Sequence, residues 1–202
     1  MLQSWNNSLL ACLAVLLLLG GCSNTPSREG DVSGAAMRQQ KLPGDYEQAL
    51  SLMRNGDYGA AIPVLKKFSE NNPQLAGPYI NLGIAYGQAG EPGKALEALD
   101  KAVDLNPASA AAQLQCGILY RERGEFQTAL GAYQQALKLQ PDYALAHRNI
   151  GILYDIYLQQ PAKALIHYKR YLALAGGDNK TVNGWIIDLE RRTGSATASV
   201  AP

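Results

Sequence analysis

A block of small, aromatic and proline residues returns along this chain every 34 positions. Its clearest copy runs Cys116-Gly117-Ile118-Leu119-Tyr120, then Gly124-Glu125-Phe126, Ala129, Tyr133, Ala136 and Pro141. One period earlier stand Gly83, Tyr86, Gly90, Pro92, Ala95, Leu99, Ala102 and Pro107. A period before that come Ala49, Leu52, Gly56, Tyr58, Ala61, Leu65, Phe68 and Pro73. One period later Gly151 and Tyr154 keep the register, and Ala164, Tyr168 and Tyr171 follow after a single inserted residue. Such a period means one supersecondary unit repeated, each copy burying its apolar face against the next.

The unit is a pair of helices. Phe126, Ala129, Leu130, Tyr133, Ala136 and Leu137 fall at i, i+3, i+4, i+7, i+10 and i+11, the apolar stripe of an amphipathic helix. Ala112, Cys116, Leu119 and Tyr120 make a similar stripe before it, and the polar Glu122-Arg123-Gly124-Glu125 separates the two. Gly83, Gly117 and Gly151 fall inside the first helix, where glycine costs about 1 kcal/mol relative to alanine. That cost implies close packing against the second helix, with Ala95, Ala129 and Ala164 as the small partners. Pro73, Pro107 and Pro141 are predicted to stop each second helix, since proline has no N–H and its ring clashes with a continuing helix.

Together these marks resemble the tetratricopeptide repeat (TPR) over residues 42–178. The resemblance implies an all-α fold: a right-handed α-solenoid of four helix-turn-helix units, at 42–75, 76–109, 110–143 and 144–178. A last helix is read over 179–192, where Val182, Trp185, Ile186 and Leu189 form an i, i+3, i+4, i+7 stripe that would cap the final repeat. Residues 193–202 read as a disordered tail.

The N-terminus obeys different rules. Leu9 to Leu19 is almost purely apolar and too short for a comfortable membrane span. It leads into Leu19-Gly20-Gly21-Cys22, which resembles the bacterial lipobox. The resemblance implies a signal peptide over 1–21 and acylation of Cys22, although 1–21 holds no Lys or Arg. Ser23, rather than Asp, after the cysteine points by the enterobacterial sorting pattern to the outer membrane, facing the periplasm. Residues 22–41 then read as a lipidated cysteine and a flexible tether that reaches about 65 Å when fully extended.

The remaining chemistry is sparse. The chain carries 18 Lys and Arg against 17 Asp and Glu, so no basic excess marks a nucleic-acid partner. Cys12 leaves with the leader and Cys22 takes lipid, so Cys116 stands alone as a small buried hydrophobe with no disulfide partner. His147 and His167 share a repeat but have no further Cys or His at ligand spacing, and no metal or cofactor is expected. No nucleophile elbow, Walker or H-E-x-x-H pattern occurs, so neither an enzyme nor a small-molecule substrate is expected.

A protein or peptide partner is what the resemblance implies, held in the concave groove that TPR first helices line. The carboxylate clamp of chaperone-binding TPRs would map onto Tyr46, Leu50, Asn81, Ala111 and Gln115; only Asn81 matches, which argues against a chaperone tail as ligand. Asn81, Gln115 and Asn149 instead form a ladder at intervals of 34, resembling the asparagine ladder of TPR superhelices that hold extended peptides. Ile80, Ile84, Leu114, Ile118 and Ile152 are predicted to make an apolar strip beside it, with Arg148 in the same groove. The same residues equally suit amides bonded within the solenoid and isoleucines serving as interhelical core. Three classes follow: a lipid-anchored scaffold for an envelope, pilus or secretion complex, as TPR lipoproteins such as pilotins and peptidoglycan-hydrolase adaptors are; a non-catalytic subunit of an envelope enzyme; or a soluble cytosolic TPR protein whose lipobox is incidental.

Overall fold

The computed structural model describes residues 43–177 and 179–194. The expected leader, Cys22, the tether to residue 41 and residues 195–202 of the expected tail lie outside these residues. Within them the chain is all helix, in four antiparallel pairs and a final helix. The pairs are α1 (Gly44–Arg54) with α2 (Tyr58–Asn71), α3 (Ala76–Gln88) with α4 (Pro92–Leu105), α5 (Ala110–Glu122) with α6 (Phe126–Leu139), and α7 (Ala144–Ile152) with α8 (Pro161–Leu174). The last, α9 (Lys180–Thr193), runs one residue past the expected end of the cap.

Local chemistry explains the boundaries. The second helices α2, α4 and α6 each end two residues before a proline, because the residue preceding proline is pushed out of the helical region. Asn72, Asn106 and Gln140 accordingly adopt φ of −133°, −144° and −139°. The first helices α1, α3 and α5 each end in a glycine-closed turn: Gly56, Gly90 and Gly124 have φ of 82°, 77° and 79°. There the following N–H reaches back five residues, as Glu91 to Tyr86 O and Glu125 to Tyr120 O, both at 2.9 Å. Glycine reaches left-handed φ without the clash a β-carbon brings.

The fourth unit absorbs its inserted residue in the backbone. After α7 the chain widens into a π-helical turn, Leu153–Tyr157, closed by Leu158 N–H on Leu153 O at 3.0 Å. The interhelical turn is then closed by Gln160 N–H on Tyr154 O at 2.8 Å, six residues back instead of five. The left-handed position falls on Gln159, the one non-glycine with positive φ (51°) among the described residues. A side chain there costs about 1–2 kcal/mol, and Gln159 is exposed, so little packing is lost without it. Gln159→Gly is expected to stabilise the protein by about 1 kcal/mol in thermal denaturation. A variant that melts at or below the wild-type temperature would contradict this account of the turn.

The repeat glycines do seat a second helix, chiefly through a larger side chain than the alanine foreseen. A β-carbon on Gly83 would lie 2.6 Å from Leu99 Cγ; on Gly117 and Gly151 it would lie 2.4 Å and 2.5 Å from the rings of Tyr133 and Tyr168. Those large side chains stand one turn after Ala95, Ala129 and Ala164. The alanines, all 0% exposed, keep the helices close; the glycine is the slot for the bulky side chain that follows. The core continues into α9 through Val182, Ile186 and Leu189, which join the cluster of Tyr168 and Leu153.

Candidate functional site

The first helices form the inner wall of the array. Each touches the next along the chain, α3 against α5 and α5 against α7, while α2, α4 and α6 make no comparably broad contact with one another. Successive units therefore converge on the first-helix side and splay on the other. This fan places the concave face on α1, α3, α5 and α7.

The predicted ladder does not survive as three equivalent amides. Asn81 Nδ2 donates to the Tyr46 hydroxyl at 2.7 Å, and Tyr46 stacks on Phe68 with centroids 4.6 Å apart. Asn149 is buried and spent on both sides: its Oδ1 accepts from Arg121 Nη1 at 3.1 Å, and its Nδ2 donates to Leu145 O at 2.8 Å in its own helix. Arg121, from the end of α5, thus takes the acceptor that a peptide backbone would need. Gln115 borders open space. It lines a recess of about 30 Å³ with Ile84, Ile118, Gly87, Gln88 and Glu122, between α3 and α5.

The apolar strip divides in the same way. Leu114 is only 1% exposed and belongs to the core, which corrects its placement in the groove. Its position on α5 turns it toward the next unit instead of the concave surface. Ile80 and Ile152 are half-buried against the core clusters. Ile84 and Ile118 keep an open side on the recess, and Ile118 also packs on the core. Arg148, also half-buried, lines a separate pocket against α9.

Two groups behave as their surroundings dictate. Cys116 is buried, and burial pushes its thiol up to about 11, so it holds no thiolate to react with at neutral pH. His147 and His167, unrelated by any motif spacing, meet across α7 and α8 with Nδ1 atoms 3.1 Å apart. His147 Nε2 stands 3.0 Å from Pro141 O, an acceptor only, so that nitrogen carries the proton. A neutral His147 then accepts at Nδ1 from the Nδ1–H of His167. No group of three or more His, Cys, Asp or Glu that could hold a metal occurs among the described residues. Burial, and then the neighbouring His147, hold His167 down to about 4. The unfolded chain therefore binds more protons between the ordinary histidine range and that value, and stability falls as pH drops through this window. Denaturant midpoints at pH 7 and pH 4.5 test this: His167→Gln should lose less stability than wild type on acidification, and an equal loss refutes the assignment.

Known proteins share this arrangement. Residues 52–116 match the family model described as tetratricopeptide repeat, and residues 117–155 match one described as TPR repeat. No curated protein sequence matches the chain. Among solved structures, the crystal structure of MamA is 28% identical, with 72% of this chain and 84% of that one covered and a TM-score of 0.61. PilF of Pseudomonas aeruginosa is 21% identical, with 75% and 68% covered and a TM-score of 0.68. The first TPR of Spaghetti (RPAP3), solved with the HSP90 peptide SRMEEVD bound, is 21% identical, with 60% and 94% covered and a TM-score of 0.55. The last two are likenesses of fold alone.

Proposed function

We propose that this chain, a member of the tetratricopeptide-repeat family, is a lipid-anchored adaptor that holds a segment of a partner protein on its concave face. TPR proteins act as protein-binding scaffolds, and relatives of this fold are generally non-catalytic. The anchor is Cys22 with its tether, and the place of work is the periplasmic side of a bacterial outer membrane, in assembly of an envelope, pilus or secretion complex. The observation that carries the groove reading is the recess at Gln115. Ile84 and Ile118 offer apolar contact there, and the Gln115 amide offers a donor and an acceptor to an extended backbone. Asn149 shapes the wall through its internal bonds instead of reading the ligand.

A photocrosslinking residue at position 115 of the full-length chain, in native membranes, tests this. A discrete adduct is expected at 115, none at position 101 on the exposed face of α4, and loss of the 115 adduct in Ile84→Asp with the helical circular dichroism unchanged. Equal labelling at both positions, or no adduct at 115, overturns the groove as the recognition surface.

A further inference from the structure

We infer that the recess between α3 and α5 receives an arginine side chain of the partner segment, in the place that Arg121 fills from within the chain at the next seam. This rests on the reading of the chain as a peptide-binding adaptor and names the side chain that its groove takes.

The repeat supplies the comparison. Gly87 and Arg121 are copies of one position, and Gln115 and Asn149 are copies of another. At the α5/α7 seam the two positions are joined: Arg121 Nη1 donates to Asn149 Oδ1 at 3.1 Å, across 28 residues of chain. At the α3/α5 seam the same pair is Gly87 and Gln115, and both line the recess. The amide remains there and the guanidinium is missing. At the α1/α3 seam Asn81 is held by the Tyr46 hydroxyl. Among the described residues no hydrogen bond engages Gln115, so the middle seam is the one whose amide is unmet.

Nothing in the fold demands glycine at 87. Its φ is not left-handed, and an added β-carbon would meet only Ala95 Cβ, at 4.0 Å. Gly83, one turn earlier, differs: a β-carbon there strikes Leu99 at 2.6 Å. Glycine weakens a helix relative to alanine, so Gly87 costs stability and returns no packing. What it leaves is the opening that a side chain like Arg121 would fill.

Size and charge select the occupant. The recess of about 30 Å³ has room for about two water-sized groups, which suits the two terminal nitrogens of a guanidinium. Its polar lining is Gln88, Gln115 and Glu122, with no cation. Gln115 and Glu122 stand two turns apart on one face of α5. The Glu122 side chain is 46% exposed, and the contact from Arg121 Nη2 to its Oε1 is 3.9 Å, beyond hydrogen-bond range. An arriving guanidinium donates to Gln115 Oε1, as Arg121 does to Asn149, and with its second arm to the Glu122 carboxylate. Its methylene stem lies on half-buried Ile84 and Ile118. The Gln115 Nε2 stays free to donate to the partner's backbone. A carboxylate in the same place would face Glu122, and like charges repel.

The test uses purified full-length protein labelled at the isoleucine δ1-methyl groups, with Ile118 assigned by Ile118→Val. Titration with acetyl-Ala-Arg-Ala-amide is expected to give a saturable shift at Ile118. The citrulline peptide, equal in shape and uncharged, should bind about tenfold more weakly, the size of a charge-assisted hydrogen bond. Glu122→Gln, on the exposed surface, should weaken the arginine peptide by a similar factor. Gly87→Arg carries a guanidinium into the recess from within. It should move Ile118 as saturating peptide does and abolish the response to added peptide, whereas Gly87→Ala should retain it. Glu122→Gln gives a second reading if Gly87→Arg fails to fold. An equal response to the citrulline peptide, no response in wild type, unchanged affinity in Glu122→Gln, or a folded Gly87→Arg that binds peptide as wild type does would each overturn the proposal. Adducts at position 115 in native membranes without any arginine response would sink the arginine site while leaving the groove standing.

Discussion

Cys22→Ser is expected to empty the membrane fraction of this protein. A single fatty chain holds a protein marginally, with K about 10⁴ M⁻¹, because each buried methylene contributes only about 0.8 kcal/mol. The lipobox resemblance puts three chains on Cys22, and their combined burial makes release negligible. A serine at that position takes no diacylglyceryl group, so the substrate of the lipoprotein peptidase never forms. The prediction has two readouts. Palmitate label should vanish from the chain, and mature-sized protein should disappear from washed membranes. No helix among the described residues is long and apolar enough to cross a membrane, so Cys22 is the attachment this variant addresses. Mature-sized, membrane-bound protein persisting in the variant would refute the anchor and return the chain to the other scaffold readings.

The second large effect lies in the repeat itself. Gly117→Leu is expected to cost about 3 kcal/mol or more, the upper end of overpacking. The β-carbon alone would sit 2.4 Å from both Cδ1 and Cε1 of Tyr133, far inside van der Waals contact. Tyr133 is 0% exposed and boxed in by Ala129 and Ala136, so the ring has no free direction in which to turn. The two helices must part, and both flanking interfaces part with them. For a chain of this size the melting temperature should fall by about 6–12 °C. The matched control is Gly131→Ala on α6, where an added β-carbon meets nothing within 4 Å. Helix propensity should make that change stabilising by up to about 1 kcal/mol. Thermal melts of the pair should move in opposite directions. If Gly117→Leu melts with wild type, the close-packed glycine is not what holds the unit together.

The paired helices and the final helix were legible in the sequence because each follows from short-range chemistry. Apolar spacing near 3.6 residues marks a helix face whatever it packs on, and proline halts a second helix through its own ring two residues on. The stripe of Val182, Ile186 and Leu189 likewise announced a final helix that covers the last unit. Even the one-residue insertion of the fourth unit was countable, although only the backbone showed it taken up as a π-helical turn with Gln159 left-handed. Tertiary structure decided what each face meets. Leu114 and Ile84 look alike on paper, yet one is core and the other borders open space, because helix crossing decides which residues the next unit covers. Asn149 was spent by Arg121, which lies 28 residues away in the chain and adjacent in space. The histidine pair and the orphaned Nε of Arg148 exist only where α7 meets α8 and α9. Repetition determines what every unit is; the offset between neighbouring helices, to which a one-dimensional period is blind, determines which of its side chains are left over for a partner.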